Sequence, residues 1–307
     1  MGSVIGGHLA AAGNHVVLIN IDADYVAAVN ANGLVLESDA IERVVDVQAA
    51  TSSDNLEPVD LILVLVKSFD TAEAMRASMN LLGPETMVIS LQNGLGQEEV
   101  LAEIVGRDNV IAGKTYIGGM ITAPGRVVAG VTGKDTIIGE LDGQITPRIQ
   151  DVAETLESAG LTTVVSDNIM GAMWDKLLIN VAAGALSGIT GLNFGNLYQL
   201  PEVEETAIEA VAEAMRVAGA LGVSLTINHP KDAWIKASAG LPFGFKPSVL
   251  QSLENGMITE IDYINGAVVR AGRRAGIPTP VNSTLVACIK GVERALHPKP
   301  EPQRIIL

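Results

Sequence analysis

Residues 59–66 read Val-Asp-Leu-Ile-Leu-Val-Leu-Val. The apolar run from Leu61 to Val66 is far shorter than the roughly 20 residues of a membrane-spanning helix. It also lacks the polar alternation of a strand wetted on one face. It reads as a strand covered on both faces, the signature of a parallel sheet, and it ends in Lys67-Ser68. The same pattern recurs on either side. Residues 16–21 (Val-Val-Leu-Ile-Asn-Ile), 87–91 (Met-Val-Ile-Ser-Leu) and 110–112 are further strand candidates. Helical patterns lie between them. Residues 3–12 form one. Residues 70–82 form another, with Ala72, Met75, Met79 and Leu82 at helical spacing and Asp70 placed to cap. Residues 97–105 carry Glu98 and Glu99 in the first turn, where the helix dipole favours them. Strand-helix alternation predicts a doubly wound, parallel α/β sheet. Residues 127–131 and 136–141, either side of Gly133-Lys134-Asp135, read as an antiparallel addition. A helix over 151–160 and a strand over 161–165 close the half.

Beyond Ser166 the pattern is helical. Helices are predicted over 168–187, 203–221, 247–254, from Thr259 to about Ala275, and over 282–296. In the fourth, Thr259 and Asp262 resemble a capping box. Residues 181–192 are apolar but interrupted by Gly184, Ser187, Gly188 and Thr190. The expected division is 1–165, an α/β domain, and 166–307, an all-helical domain. The tail containing Pro298, Pro300 and Pro302 is expected to be loose.

Composition bounds the function. The 307 residues are 48% hydrophobic and 18% charged, with a mean hydropathy of +0.34. Such a chain can bury a large core, which argues against disorder. Lys+Arg 20 against Asp+Glu 35 leaves −15. That argues against nonspecific nucleic-acid binding and against anionic membrane surfaces. One cysteine, Cys288, excludes an intrachain disulfide framework and suits a reducing, cytoplasmic compartment. One Cys and four His are too few to suggest a structural Cys/His zinc site, and no metal is expected. Met1-Gly2-Ser3 opens no secretory signal.

Gly2 and Gly6, then residues 8–13 and the strand at 16–21, match the segment after the first strand of a dinucleotide-binding fold. There a glycine turn and a helix N-terminus meet a pyrophosphate. Gly2 would be the third glycine of G-x-G-x-x-G, so the first strand and two glycines are absent. The expected explanation is a start taken at a Met-Gly inside the motif. A helix with packing glycines is the alternative. At the end of strand 16–21, where such folds read the adenosine ribose, stand Asn20, Ile21 and Asp22. No cation awaits a 2′-phosphate there, which tilts the reading toward NADH; Asp22 as a mere turn residue is the alternative.

Ligands of open α/β sheets sit at the carboxyl ends of strands. Lys67-Ser68 and Gln92-Asn93-Gly94 occupy two such ends. In the helical half, Lys176 and Asn180 share one helix face among apolar residues. Lys176 either snorkels outward or is kept for chemistry, since a partly desolvated lysine can release a proton near neutral pH. Glu260 lies on the predicted stripe of Ile264, Ala267 and Ala271, where a carboxylate needs a partner or a task. Ser248 opens a helix after Pro247 and reads as a carboxylate clamp or a cap.

These segments occur in one order: Gly2-Ser3 with Gly6 and residues 8–13, residues 64–71 (VLVKSFDT), 91–96 (LQNGLG), 174–177 (WDKL) with Asn180, 246–248 (KPS) and 259–266 (TEIDYING). Together they resemble the ketopantoate reductase (2-dehydropantoate 2-reductase) family, over nearly the whole chain. The resemblance implies a Rossmann-type domain lacking its first strand here, followed by a helical domain. It implies reduction of the 2-keto group of ketopantoate by a nicotinamide cofactor, for pantothenate and coenzyme A synthesis. Lys176 would be the general acid, with Glu260 bonding substrate and orienting it. Asn180, Ser248 and Asn93 would hold substrate. Gly2, Ser3, Asn20, Asp22, Lys67, Asn93 and Glu260 would line the cofactor. The family suggests NADPH, whereas Ile21 and Asp22 suggest NADH. Gly184 stands where the family usually has a second Asn, which leaves open a relative acting on another small 2-keto or 3-hydroxy acid. A catalytically silent nucleotide-binding protein is the third reading. The Ala-rich helical half could carry a homodimer.

Overall fold

The computed structural model describes residues 1–38 and 41–297. The proline-rich tail, with Pro298, Pro300 and Pro302, lies outside the described residues. In chain order come α1 (Gly2–Ala11), β1 (Val17–Ile19), α2 (Ala23–Asn32), β2 (Leu34–Ser38), β3 (Ile41–Val45) and β4 (Gln48–Ala50). Next come β5 (Val59–Val64), α3 (Thr71–Ala77), β6 (Leu82–Ser90), α4 (Gln97–Val105), β7 (Val110–Thr115), β8 (Gly118–Ala123), β9 (Arg126–Gly130), β10 (Thr136–Glu140), α5 (Pro147–Ser158) and β11 (Thr163–Val165). Helices complete the described chain: α6 (Ile169–Thr190), α7 (Phe194–Leu197), α8 (Pro201–Ala220), α9 (Pro230–Ser238), α10 (Ser248–Glu254), α11 (Asn265–Ala275) and α12 (Pro280–Leu296). The chain forms two compact units. One holds Met1–Gln92 and Gly96–Met173; the other holds Asn93–Leu95 and the residues from Trp174 onward.

In the first unit a five-stranded sheet runs β11-β10-β7-β6-β5. Strands β5, β6 and β7 are parallel, with α3 and α4 as the crossovers, which is the doubly wound pattern expected. Strand β10 is antiparallel to β7. Strands β1 and β4 form a separate parallel pair. Strand β5 departs from expectation. Leu61, Ile62 and Leu63 are only half-buried, because β5 is the end strand of its sheet and lacks a neighbour on one side. Residues 127–131 and 136–141 also differ, since they do not pair with each other. Strand β9 joins β3-β2-β9-β8, a four-stranded sheet that the pattern did not reveal, while β10 goes to β7. The helix expected over 70–82 is shorter. A 3-10 turn over Ser68–Asp70 precedes α3, another over Met79–Leu81 comes after it, and Asp70 makes no side-chain cap.

Helix α1 packs on β1 and β2 through glycine. A Cβ on Gly6 would stand 2.5 Å from Leu18 Cδ2, and one on Gly7 2.7 Å from Leu34 Cδ2. These two glycines bring α1 close to the strands, as a nucleotide-fold helix also requires, and they let Val4 and Ile5 bury completely.

In the second unit α6 is the core helix. It is long and apolar enough to cross a bilayer, but 72% of its most apolar window is buried within protein. Asp175 on α6, 6% exposed, accepts hydrogen bonds from the Thr226 N–H, the Thr226 hydroxyl (2.6 Å) and the Ile227 N–H (3.1 Å). It thereby anchors the loop before α9. Glu213 on α8 accepts from the Val281 and Asn282 N–H groups and so caps α12, satisfying donors that a helix start leaves open. The single helix expected from Thr259 to Ala275 is broken. A 3-10 turn spans Ile261–Tyr263, and Ile264 at φ −105°, ψ −98° interrupts the path before α11 begins.

Candidate functional site

Helix α6 presents Lys176 half-buried beside the fully covered Leu177 and Leu178. Its ammonium donates to Asn93 Oδ1 at 2.9 Å. Asn93 lies 83 residues earlier in sequence and in the same compact unit. This bond orients the ammonium. Asn180 stands one turn later on the same face, also half-buried.

The Asn93–Leu95 turn is fixed in turn. The Leu95 N–H donates to the Tyr263 carbonyl at 2.9 Å, and Tyr263 closes the 3-10 turn that Glu260 opens. Glu260 is 8% exposed. Its expected place on a helical stripe with Ile264, Ala267 and Ala271 is corrected, because α11 starts only at Asn265. Nor does Thr259 cap that helix. Its hydroxyl accepts from the Ile261 N–H, and its own N–H and hydroxyl donate to Glu293 Oε1 at 2.8 and 2.6 Å. Lys290 joins Asp262 (2.6 Å) to Glu293 (3.1 Å). Burial works against its charge, but those two partners outweigh it and hold its pKa above the ordinary value. The segment carrying Glu260 is thus pinned at Thr259, Asp262 and Tyr263. Sequence reasoning missed Glu293, although an acid in the last turn of α12, where the dipole disfavours it, was a signal. Ser248 is exposed at the first position of α10, and no side chain caps that helix.

In the first unit, Gly2 opens α1, where no side chain caps the helix start. A Cβ on Gly2 would meet nothing within 4 Å. Burial lowers the pKa of the Met1 amino group, and the nearby Lys67 charge lowers it further, so Lys67 stands close to this helix start. An open helix N-terminus with a lysine beside it fits a pyrophosphate. Ser3, 8% exposed, accepts from the Tyr25 hydroxyl at 2.6 Å. Asn20 Oδ1 accepts from the Asp22 N–H. Asp22 caps α2 by accepting from the Asp24 and Tyr25 N–H groups, so one of its oxygens has a structural task. Ile21 is 94% exposed. Sequence reasoning placed Gln92 at a strand end but gave it no role of its own. Its side chain donates to the Val66 carbonyl (2.7 Å) and to Thr71, and it accepts from Ser90. It ties the ends of β5 and β6 together next to Lys67. A glutamine at a buried strand end, which must find partners, was its signal.

Two family models match: "Ketopantoate reductase PanE/ApbA" over residues 1–143 and its C-terminal counterpart over 168–293. The chain belongs to the ketopantoate reductase family. Among curated relatives of this family, the 2-dehydropantoate 2-reductase of Halobacterium salinarum is 35% identical over 298 residues, covering 96% of both chains. That of Pyrococcus horikoshii is 32% identical, covering 95% of this chain and 94% of the relative. A PanE/ApbA family ketopantoate reductase from Ralstonia eutropha superposes with a TM-score of 0.87 at 33% identity, over 95% of each chain. D-mandelate dehydrogenase, solved with NADH and anilino(oxo)acetate, also gives 0.87, at 25% identity and the same coverage. The Rossmann-type α/β unit followed by a helical unit is the architecture of the ketopantoate reductase structures, and a nicotinamide cofactor is in keeping with these neighbours.

Proposed function

We propose that this oxidoreductase reduces the 2-keto group of ketopantoate to the alcohol of pantoate, with Lys176 as the proton donor. The observation that carries the mechanism is the Lys176 Nζ to Asn93 Oδ1 bond of 2.9 Å. It holds a half-buried ammonium in one orientation on a helix face shared with Asn180. The bound nicotinamide supplies hydride to the carbonyl carbon. As negative charge develops on the carbonyl oxygen, the Lys176 ammonium stabilises it and transfers a proton to it. The lysine is left neutral and is reprotonated from solvent. Glu260, with its backbone pinned on both sides, bonds a substrate hydroxyl, and Asn180 and the Ser248 hydroxyl hold the rest of the keto acid. A local cation is needed because both substrate and cofactor are anionic while the chain carries −15.

The open start of α1, with Gly2, Ser3 and Lys67, receives the pyrophosphate. At the ribose end, Asn20, Ile21 and Asp22 offer no cation, which favours NADH over NADPH. One cysteine suits work in the reducing cytoplasm. Family models matching both halves favour ketopantoate over another small keto acid and over a silent nucleotide-binding protein. The test is oxidation of NADH and of NADPH, followed by loss of the reduced nicotinamide's absorbance, with ketopantoate as substrate. Pantoate formed with either cofactor supports the reading. No turnover with both overturns it.

A further inference from the structure

Gly94, between Asn93 and Leu95, has φ +90°. A Cβ built there would lie 2.2 Å from the Tyr263 carbonyl oxygen, 2.7 Å from its carbon and 2.8 Å from its Cβ. Asparagine tolerates positive φ better than other residues, but it carries the same Cβ, so only glycine fits. The next residue completes the contact, its N–H bonding that same carbonyl oxygen at 2.9 Å. The preceding residue, Asn93, holds Lys176. The carbonyl belongs to a turn pinned independently by Glu293 on Thr259 and by Lys290 on Asp262. Three consecutive residues therefore join a rigid turn to the lysine. Gly106 is the useful contrast. Its φ is +88°, but a Cβ there meets nothing within 4 Å.

We propose that Gly94 is a positioning residue for the reaction: its close approach to the Tyr263 carbonyl, closed by the Leu95 N–H, sets Asn93 Oδ1 on Lys176 and so aims the proton donor. This rests on the reading of Lys176 as the acid. Adding a methyl at position 94 must push the turn away from Tyr263 and carry Asn93 with it. A displacement of about 1 Å at a catalytic group can cost on the order of 100-fold in rate.

The experiment measures kcat, KM for ketopantoate and the Kd of reduced cofactor. The variants are Gly94→Ala, Gly94→Asn, Asn93→Ala, the Gly94→Ala/Asn93→Ala double, Gly106→Ala and Lys176→Ala. Both Gly94 variants should lose at least about 10-fold in kcat while cofactor Kd holds. Adding Gly94→Ala to Asn93→Ala should cost little more, because both act through one bond. Gly106→Ala should keep kcat despite its backbone strain. Losses that multiply in the double variant, or a Gly94→Ala enzyme with wild-type kcat, overturn the proposal. Hydrogen exchange on the wild-type chain provides a measurement that no variant's folding can spoil. The Leu95 amide should be protected, and exchange at the rate of an open loop would overturn the clasp. Retained activity in Lys176→Ala overturns the reading of the site and the clasp with it. An inactive Lys176→Ala with multiplying Gly94 and Asn93 losses overturns the clasp alone.

Discussion

Replacing Asp175 separates the folding role of the Trp174-Asp175-Lys176 stretch from its chemical role. The Asp175 carboxylate takes three donors: the Thr226 N–H, the Thr226 hydroxyl and the Ile227 N–H. Asp175 is 6% exposed and Ile227 2%, so water replaces these bonds poorly. A hydrogen bond to a charged group contributes about 1.5–3 kcal/mol, and leaving a buried donor unpaired costs about 1–3 kcal/mol. In Asp175→Ala the Ile227 N–H loses its partner outright, while the Thr226 groups, in an exposed residue, recover water in part. The sum is about 4 kcal/mol. At roughly 3 °C per kcal/mol for a unit of this size, Tm should fall by about 12 °C. Asp175→Asn should cost about half as much, since its amide keeps one acceptor oxygen but turns NH2 toward a donor. The assay is thermal unfolding followed by circular dichroism, with kcat measured well below the transition. Neither variant should lose more than a few-fold in kcat, because the carboxylate faces the loop before α9. A Tm within about 2 °C of wild type in Asp175→Ala would refute this account of the clamp. So would a large kcat loss at unchanged Tm.

Three further outcomes are expected. Burial lowers the pKa of His8 below 6.5; a bond to the Ala159 carbonyl opposes the shift, and the Arg43 charge adds to it. The fold thus favours the neutral ring, whose Nε2 is buried and unpartnered among the described residues. The unfolded state therefore binds the proton first, and stability is full above pH 6.5 and declines as pH falls below it. Urea titrations should show this slope flattened in His8→Gln. The Arg148 bonds to Glu140 hold that carboxyl below its usual 4.5 against the effect of burial. Its contribution is present above pH 4.5 and lost as pH falls through the lowered value. Glu140→Gln, which leaves Arg148 without its ion partner, should cost about 2 kcal/mol near neutral pH in urea unfolding; an unchanged midpoint would contradict this. At the ribose end, Ile21→Arg should shift the ratio of kcat/KM for NADPH over NADH upward by about 10-fold or more. An unchanged ratio would show that this loop does not read the 2′ position.

The strands legible in the sequence were those with short apolar runs: β1, the end strand β5, and the inner strands β6 and β7. In β6 and β7 the legible parts were the apolar runs 87–89 and 110–112. The sheet β3-β2-β9-β8 was hidden for a physical reason. Residues of β3 and β8 are almost all exposed, so they carry no apolar alternation. Strand β2 pairs in parallel with β9, from Val35 with Arg126 to Ser38 with Ala129, about 90 residues apart in sequence, which no local pattern encodes. The polar residues of the site stood out because Lys176 sits among leucines and Asn93 at a strand end. Their bond spans 83 residues and belongs to the tertiary structure alone. Glu260 was placed on a helix because residues 260–275 keep a helical apolar spacing. The contacts of Thr259, Asp262 and Tyr263 with Glu293, Lys290 and Leu95 outweigh that local preference and hold the first turn apart from α11. The glycines divide likewise. Gly6 was part of the nucleotide motif and packs on Leu18, while Gly94, passed over as a turn residue, is the one that Tyr263 leaves no room to replace.

The most direct test of the central claim is the rate of ketopantoate reduction by Lys176→Ala with reduced cofactor at saturation. The account predicts a kcat at least about 100-fold below wild type, with cofactor affinity and Tm retained. A Lys176→Ala enzyme that reduces ketopantoate at the wild-type rate would contradict it.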